Sequence, residues 1–158
     1  MKAIIYKTAT FLILLFFNQR LLAQEGFIID SVEFCSINIA IPDTCTAETK
    51  RSVKGKNWSI EWNYYDKGRF PSTRKFYSGF MKTMGYKFKE KKAEFLILNK
   101  RVSGTIVTFK SENEENYSIY ASMLVNKQIV VIFLSLNQYP VNNSSLPDFA
   151  KEIIQFKQ

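Results

Sequence analysis

Histidine is missing from this chain altogether. Its absence removes Ser-His-Asp and Cys-His catalytic sets, takes away the commonest base at neutral pH and leaves any zinc shell without one of its two usual ligands. Glycine is sparse, and its six residues form no G-x-S-x-G, no P-loop and no Gly-rich dinucleotide turn. No nucleotide cofactor and no metal site are therefore expected, and no catalytic residue is assigned. Pro- or Gly-rich linkers, low-complexity tracts and repeats of fixed period are also lacking, which favours one domain. Cysteine is limited to Cys35 and Cys45, without the C-x-x-C spacing of redox or zinc motifs.

Long apolar runs are lacking too. Phe11 to Phe17 gives seven strongly apolar residues, about 10 Å of helix against a bilayer core of ~30 Å. Lys2 and Lys7 precede this run, Asn18-Gln19-Arg20 follows it, and Leu21-Leu22-Ala23 leads to Gln24. A basic start, a short apolar centre and a small residue before a polar one describe a secretory signal over residues 1–23, despite the late Arg20 and the bulky Leu21. No cysteine follows Ala23, so a lipid-anchored product is excluded. The expected mature chain, residues 24–158, is a single periplasmic or secreted domain that does not span the membrane. In an oxidising compartment Cys35 and Cys45 are expected to form a disulfide, closing a small loop for about 2–3 kcal/mol.

The formal charge of the whole chain is +8. Without Lys2, Lys7 and Arg20 it falls to +5, and that remainder is uneven. Lys50 to Arg101 holds fifteen Lys or Arg against Glu61, Asp66, Glu90 and Glu94, whereas Glu112, Glu114 and Glu115 crowd one turn. Such a balance speaks about partners and solubility rather than fold.

Alternation points to strands. Phe34–Ile41 reads as one strand, with Cys35, Ile37, Ile39 and Ile41 on a common side. Trp58, Ile60, Trp62 and Tyr64 share a face of the next, both tryptophans pointing inward. Pro71 with Ser72 or Thr73 starts a helix and Gly85 stops it. Between them Phe76, Tyr77, Phe80, Met81 and Met84 form one apolar stripe. Strands follow over 93–99, 102–109, 117–124 and 129–136, the last nearly all apolar as a strand covered on both faces would be. Ser145-Leu146-Pro147-Asp148 reads as a capping box opening a terminal amphipathic helix with Leu146, Phe149, Ala150 and Ile153 inward. The expected class is α+β: an antiparallel sheet of five or six strands with two amphipathic helices packed on it.

That order, with a strand ending in Ile39-Ala40-Ile41-Pro42, a mid-chain helix, hairpins and a last apolar strand before a terminal helix, resembles the Mog1/PsbP-like family of small α/β/α domains over Phe34 to Phe156. The resemblance implies a binding, assembly or chaperone-like accessory role without catalysis. It transfers no site residue. In size and compartment the chain also looks like the periplasmic immunity proteins that neutralise antibacterial toxins.

Three chemistries remain to be placed. The first is recognition of another envelope or secreted protein, as an accessory module, inhibitor or immunity protein. The second is a basic surface for anionic lipid or polysaccharide, for which Lys54, Lys56, Arg69, Lys87, Lys89 and Lys91 are the candidates; nucleic acid is not expected as a partner outside the cytoplasm and without a binding signature. The third is a histidine-free hydrolase using Glu61 and Asp66 as paired carboxylates. For each, a solvated strand face or turn is the plain structural alternative.

Overall fold

Period-two alternation governs far more of the chain than helical spacing does. The computed structural model describes residues 29–67, 73–111 and 114–157; the leader and Arg69 lie outside the described residues. In chain order the elements are β1 (Ser31–Phe34), β2 (Ile37–Ala40), β3 (Thr46–Thr49), β4 (Ser52–Gly55), β5 (Trp58–Asp66), α1 (Thr73–Thr83), β6 (Phe88–Ile97), β7 (Lys100–Ser111), β8 (Glu114–Val125), β9 (Gln128–Leu136), a 3-10 turn (Asn143–Ser145), α2 (Asp148–Lys151) and β10 (Gln155–Phe156).

Eight strands form one sheet in the order β10-β6-β7-β8-β9-β5-β4-β3, and β1 with β2 makes a separate hairpin. Every pairing is antiparallel. This overturns the expected α+β class of five or six strands and two amphipathic helices: the fold is mostly β, α1 has eleven residues and α2 only four.

The excess strands have identifiable origins. The single strand expected over Phe34–Ile41 is two, because Cys35 and Ser36 take positive φ (51° and 68°) and turn the chain back. Ile39 is then buried while Ile37, placed on the dry face by simple alternation, is half-exposed. β3 and β4 are polar strands that bury only Val53. At the C-terminus the capping box sits three residues earlier than expected. Asn142 accepts from the Ser144 amide, and Ser145 Oγ accepts from the Asn142 amide. The chain spends its apolar stripe on one helical turn and then adds β10 to β6.

Two unequal layers cover the sheet. On the hairpin face Ile60, Trp62, Ile119, Ile132 and Leu134 lie beneath Val32 and Phe34 of the hairpin and Phe149, Ile153 and Ile154 around α2. The rings of Phe34 and Trp62 meet edge to face at 5.6 Å. On the helix face Val107, Tyr120 and Val131 take Tyr77 and Met81 of α1. β9 feeds alternate residues to both, which explains its unbroken apolar run. At the far side β6 is met, among the described residues, by β10 at Phe95 and Leu96 and by the Lys157 amide at the Glu94 carbonyl.

Candidate functional site

Antiparallel register decides which candidates meet. Gly55, Trp58, Leu136, Tyr117, Thr108 and Lys89 are successive partners across β4, β5, β9, β8, β7 and β6. One end of the sheet therefore gathers the β4–β5 turn with Lys54 and Lys56, the start of β6 with Lys87 and Lys89, and Lys110 from the end of β7. Gly85, at φ 74°, helps to set this up by ending α1 and releasing Tyr86 and Lys87 toward β6. Arg69 falls outside the described residues. Lys50 and Arg51 go to the opposite end, in the β3–β4 turn.

Two clefts flank Tyr117 and Phe109 at the basic end. One, of about 840 Å³, is lined by Lys87, Lys89, Lys110, Thr108, Tyr139 and Glu115 among others. Beyond Lys89 on the same side of β6, Lys91 places its ammonium 5.8 Å from the Tyr139 ring centre. The second, of about 400 Å³, is lined by Lys54, Lys56, Asn57, Trp58 and Asn116. Five strand spacings separate the two flanks, roughly 24 Å at about 4.8 Å each.

The end is not uniformly positive. Glu48 pairs with Lys54 at 3.5 Å. Glu115 stands opposite Lys110 and accepts the Tyr117 hydroxyl at 2.9 Å, which raises the Tyr117 pKa. Glu114 and Glu115, at the start of β8, thus lie at the same end of the sheet as the lysines, while Glu112 falls outside the described residues.

The carboxylate pair does not assemble. Glu61 and Asp66 are five residues apart on β5, so they point to opposite faces with roughly 16 Å of strand between them. Two-carboxylate hydrolysis needs them on one cleft, within about 5–9.5 Å. Among the described residues no three of Cys, Asp or Glu gather as metal ligands, and no helix is long and apolar enough to cross a membrane.

The cysteines are free thiols in this structure. Cys35 lies at the hairpin tip in a cleft of about 560 Å³ shared with Lys50, Arg51 and Tyr64. Its amide donates to the Tyr64 hydroxyl at 2.9 Å, and the Arg51 guanidinium stacks 4.8 Å from the Tyr64 ring centre. Burial pushes the Cys35 thiol up, and the hydrogen bond from Tyr64 pulls it partly back. Cys45 precedes β3, whose Thr46 pairs with Lys54 near the other end of the sheet, and its sulfur lies 3.8 Å from the Thr44 hydroxyl.

Lys110, Tyr117 and Tyr139 were not singled out by the sequence, because the strand register brings the first two, and the loop after β9 the third, beside Lys87 and Lys89. Neither a protein-family model nor a curated protein matches the sequence.

Proposed function

We propose that the chain is an exported, non-enzymatic binding module that recognises an acidic protein partner through the basic end of its sheet. The observation that carries this reading is the transverse row from Gly55 to Lys89, which sets lysines on two flanks roughly 24 Å apart. A span of that length exceeds what one small anion can bridge and suits a protein footprint of about 800 Å². The rings of Tyr117 and Tyr139 between and beside the lysines supply rigid contact area of the kind enriched in such interfaces. Separation of Glu61 from Asp66 removes the acid–base pair that a histidine-free hydrolase would need. An inhibitor or immunity protein acting against an envelope toxin is one form of this role, and the pattern resemblance to Mog1/PsbP-like accessory modules points the same way.

The cleft of about 840 Å³ beside Lys87 and Lys89 is large enough for a lipid headgroup or an acidic sugar, and supports that second reading. Charge reversal separates the two. Mature protein carrying Lys54→Glu and Lys56→Glu should lose most of its low-salt association rate with an acidic protein captured from the envelope fraction, about tenfold or more. It should keep binding to anionic vesicles, because the larger cleft is intact. Unchanged association with the protein, with vesicle binding lost instead on Lys87→Glu and Lys89→Glu, transfers the function to the small-ligand reading. Export itself is checked by the N-terminal mass, expected to begin at Gln24.

A further inference from the structure

The basic end is not the most selective concavity on the surface. Among its described side chains, helix α1 buries Tyr77 and Met81 against the sheet and leaves Phe76 37% and Phe80 52% exposed. These two rings rise one turn apart beside a groove of about 360 Å³ that runs between α1 and β5. Phe76 is held upright by Tyr65 at 5.8 Å and Phe133 at 6.3 Å. The floor of the groove is mixed, with polar residues set among the rings of Tyr65, Phe109 and Phe133. Ser118, Ser135 and Ser59 stand opposite one another on β8, β9 and β5, a row of three hydroxyls crossing a face otherwise built from Val107, Tyr120, Val131 and Phe133. Glu61 and Asn63 continue the polar row along β5.

Ser118 is buried and bonded to Tyr77. Ser135, Glu61 and Asn63 face the groove without a side-chain partner among the described residues, and Glu61 is the only charged side chain lining it.

We propose that this groove binds a short, uncharged oligosaccharide segment. The alternatives fail one by one on the geometry. An extended peptide adding to the sheet needs a free edge beside the serine row, but there β5 is paired by β4 over Trp58–Glu61 and by β9 along its whole length, and an edge opens only beyond Trp62. An apolar helix would strip water from four or five polar side chains without returning hydrogen bonds. An anion would meet the Glu61 carboxylate. A simple cationic amine satisfies Glu61 but leaves the serines and Asn63 unused. A pyranose offers what the groove asks for: hydroxyls at its edge for Glu61, Asn63 and Ser135, and an apolar C–H face for Phe76 and Phe80. The repeats also agree, since alternate residues of β5 recur at about 6.8 Å and the two rings at about 6 Å. Glu61 accepts hydroxyl protons as a binding group, with no second carboxylate to make it a catalyst.

The test is titration of isotope-labelled protein, followed by backbone and side-chain NMR shifts, with cellotriose, maltotriose and triacetylchitotriose, and with hexylamine as the cationic probe. At least one neutral trisaccharide should give saturable shifts at Asn63, Ser135 and the Phe80 ring. Glu61→Gln and Phe80→Ala, both at exposed positions and both expected to fold, should each weaken it about tenfold. Lys89→Glu should leave it unchanged. No saturable shift from any of the three at about 20 mM, where even a ~1 mM site is nearly full, would overturn the proposal. So would saturation by hexylamine alone, or sugar shifts confined to residues outside the groove.

Discussion

The two faces of the one sheet are built to different standards. The hairpin face is the larger core and is closed: Trp62, Ile60, Ile132 and Leu134 are fully buried beneath β1, β2 and α2. The helix face is aromatic and half-open, with Tyr77 and Tyr120 in its small core and Phe76 and Phe80 standing above a mixed floor. Stability is concentrated on the first face and chemical variety on the second. That division is what a module needs when it must keep its shape while presenting groups to other molecules.

Substitutions at matched positions break the comparison most sharply. Trp62→Ala should lose about 3–5 kcal/mol and Met81→Ala about 2–4, whereas Phe80→Ala should stay within about 0.5 kcal/mol, all read from urea midpoints. Comparable losses at Trp62 and Phe80 would mean that the helix face is also closed in solution.

Alkali should distinguish the faces next. Burial pushes the Tyr77 hydroxyl up to about 12 and raises Tyr120 as well. Unfolded phenols ionise near 10, so above that pH the unfolded chain sheds protons first. Stability should then fall by about 1.4 kcal/mol per pH unit for each phenol until the folded groups ionise. Tyr77→Phe should make that loss visibly shallower, and an unchanged alkaline slope would contradict it.

Thiol chemistry sharpens the hairpin side. Burial holds the Cys35 thiol up, so it should react with Ellman's reagent at pH 8 more slowly than a free thiol. Intact mass tests the disulfide expected of the exported chain: a mass that rises on reduction marks the closed form, and an unchanged mass leaves Cys35 and Cys45 as the free thiols of this structure. The smallest effect concerns Lys127, exposed and at φ 67°. Lys127→Gly should stabilise by up to about 1 kcal/mol, since glycine takes that conformation without strain.

How much of this could be read from residues alone depends on where the signal lies. The inward tryptophans of β5, the doubly covered β9 and the stop at Gly85 were legible because each follows a local rule. The tight hairpins were harder. Cys35-Ser36, Leu98-Asn99 and Asn126-Lys127 all occupy left-handed turn positions without a glycine to announce them. The first of these turned one expected strand into two. In α1 the apolar spacing was right but its arc was wider than the contact, so Phe76, Phe80 and Met84 proved exposed. β3 and β4 stayed hidden because Thr, Glu, Ser and Lys carry little periodicity. Lys54 and Lys89 were recognisable as basic, yet their meeting at one end of the sheet, on adjacent rows, depends on five register choices that no local pattern specifies.

The outer margin of β6 carries a last consequence. On its outer side, away from β7, β6 is joined among the described residues by β10 at Phe95 and Leu96, and β10 does not extend along Phe88 to Lys92. The outer edge of a sheet can seed fibre growth by adding strands from other copies of the chain. Lys89, Lys91 and Lys92 occupy that margin, so two such margins approaching each other bring ammonium against ammonium. Acetylating those lysines, or raising salt enough to screen them, should let the protein polymerise edge to edge, with thioflavin fluorescence as the readout.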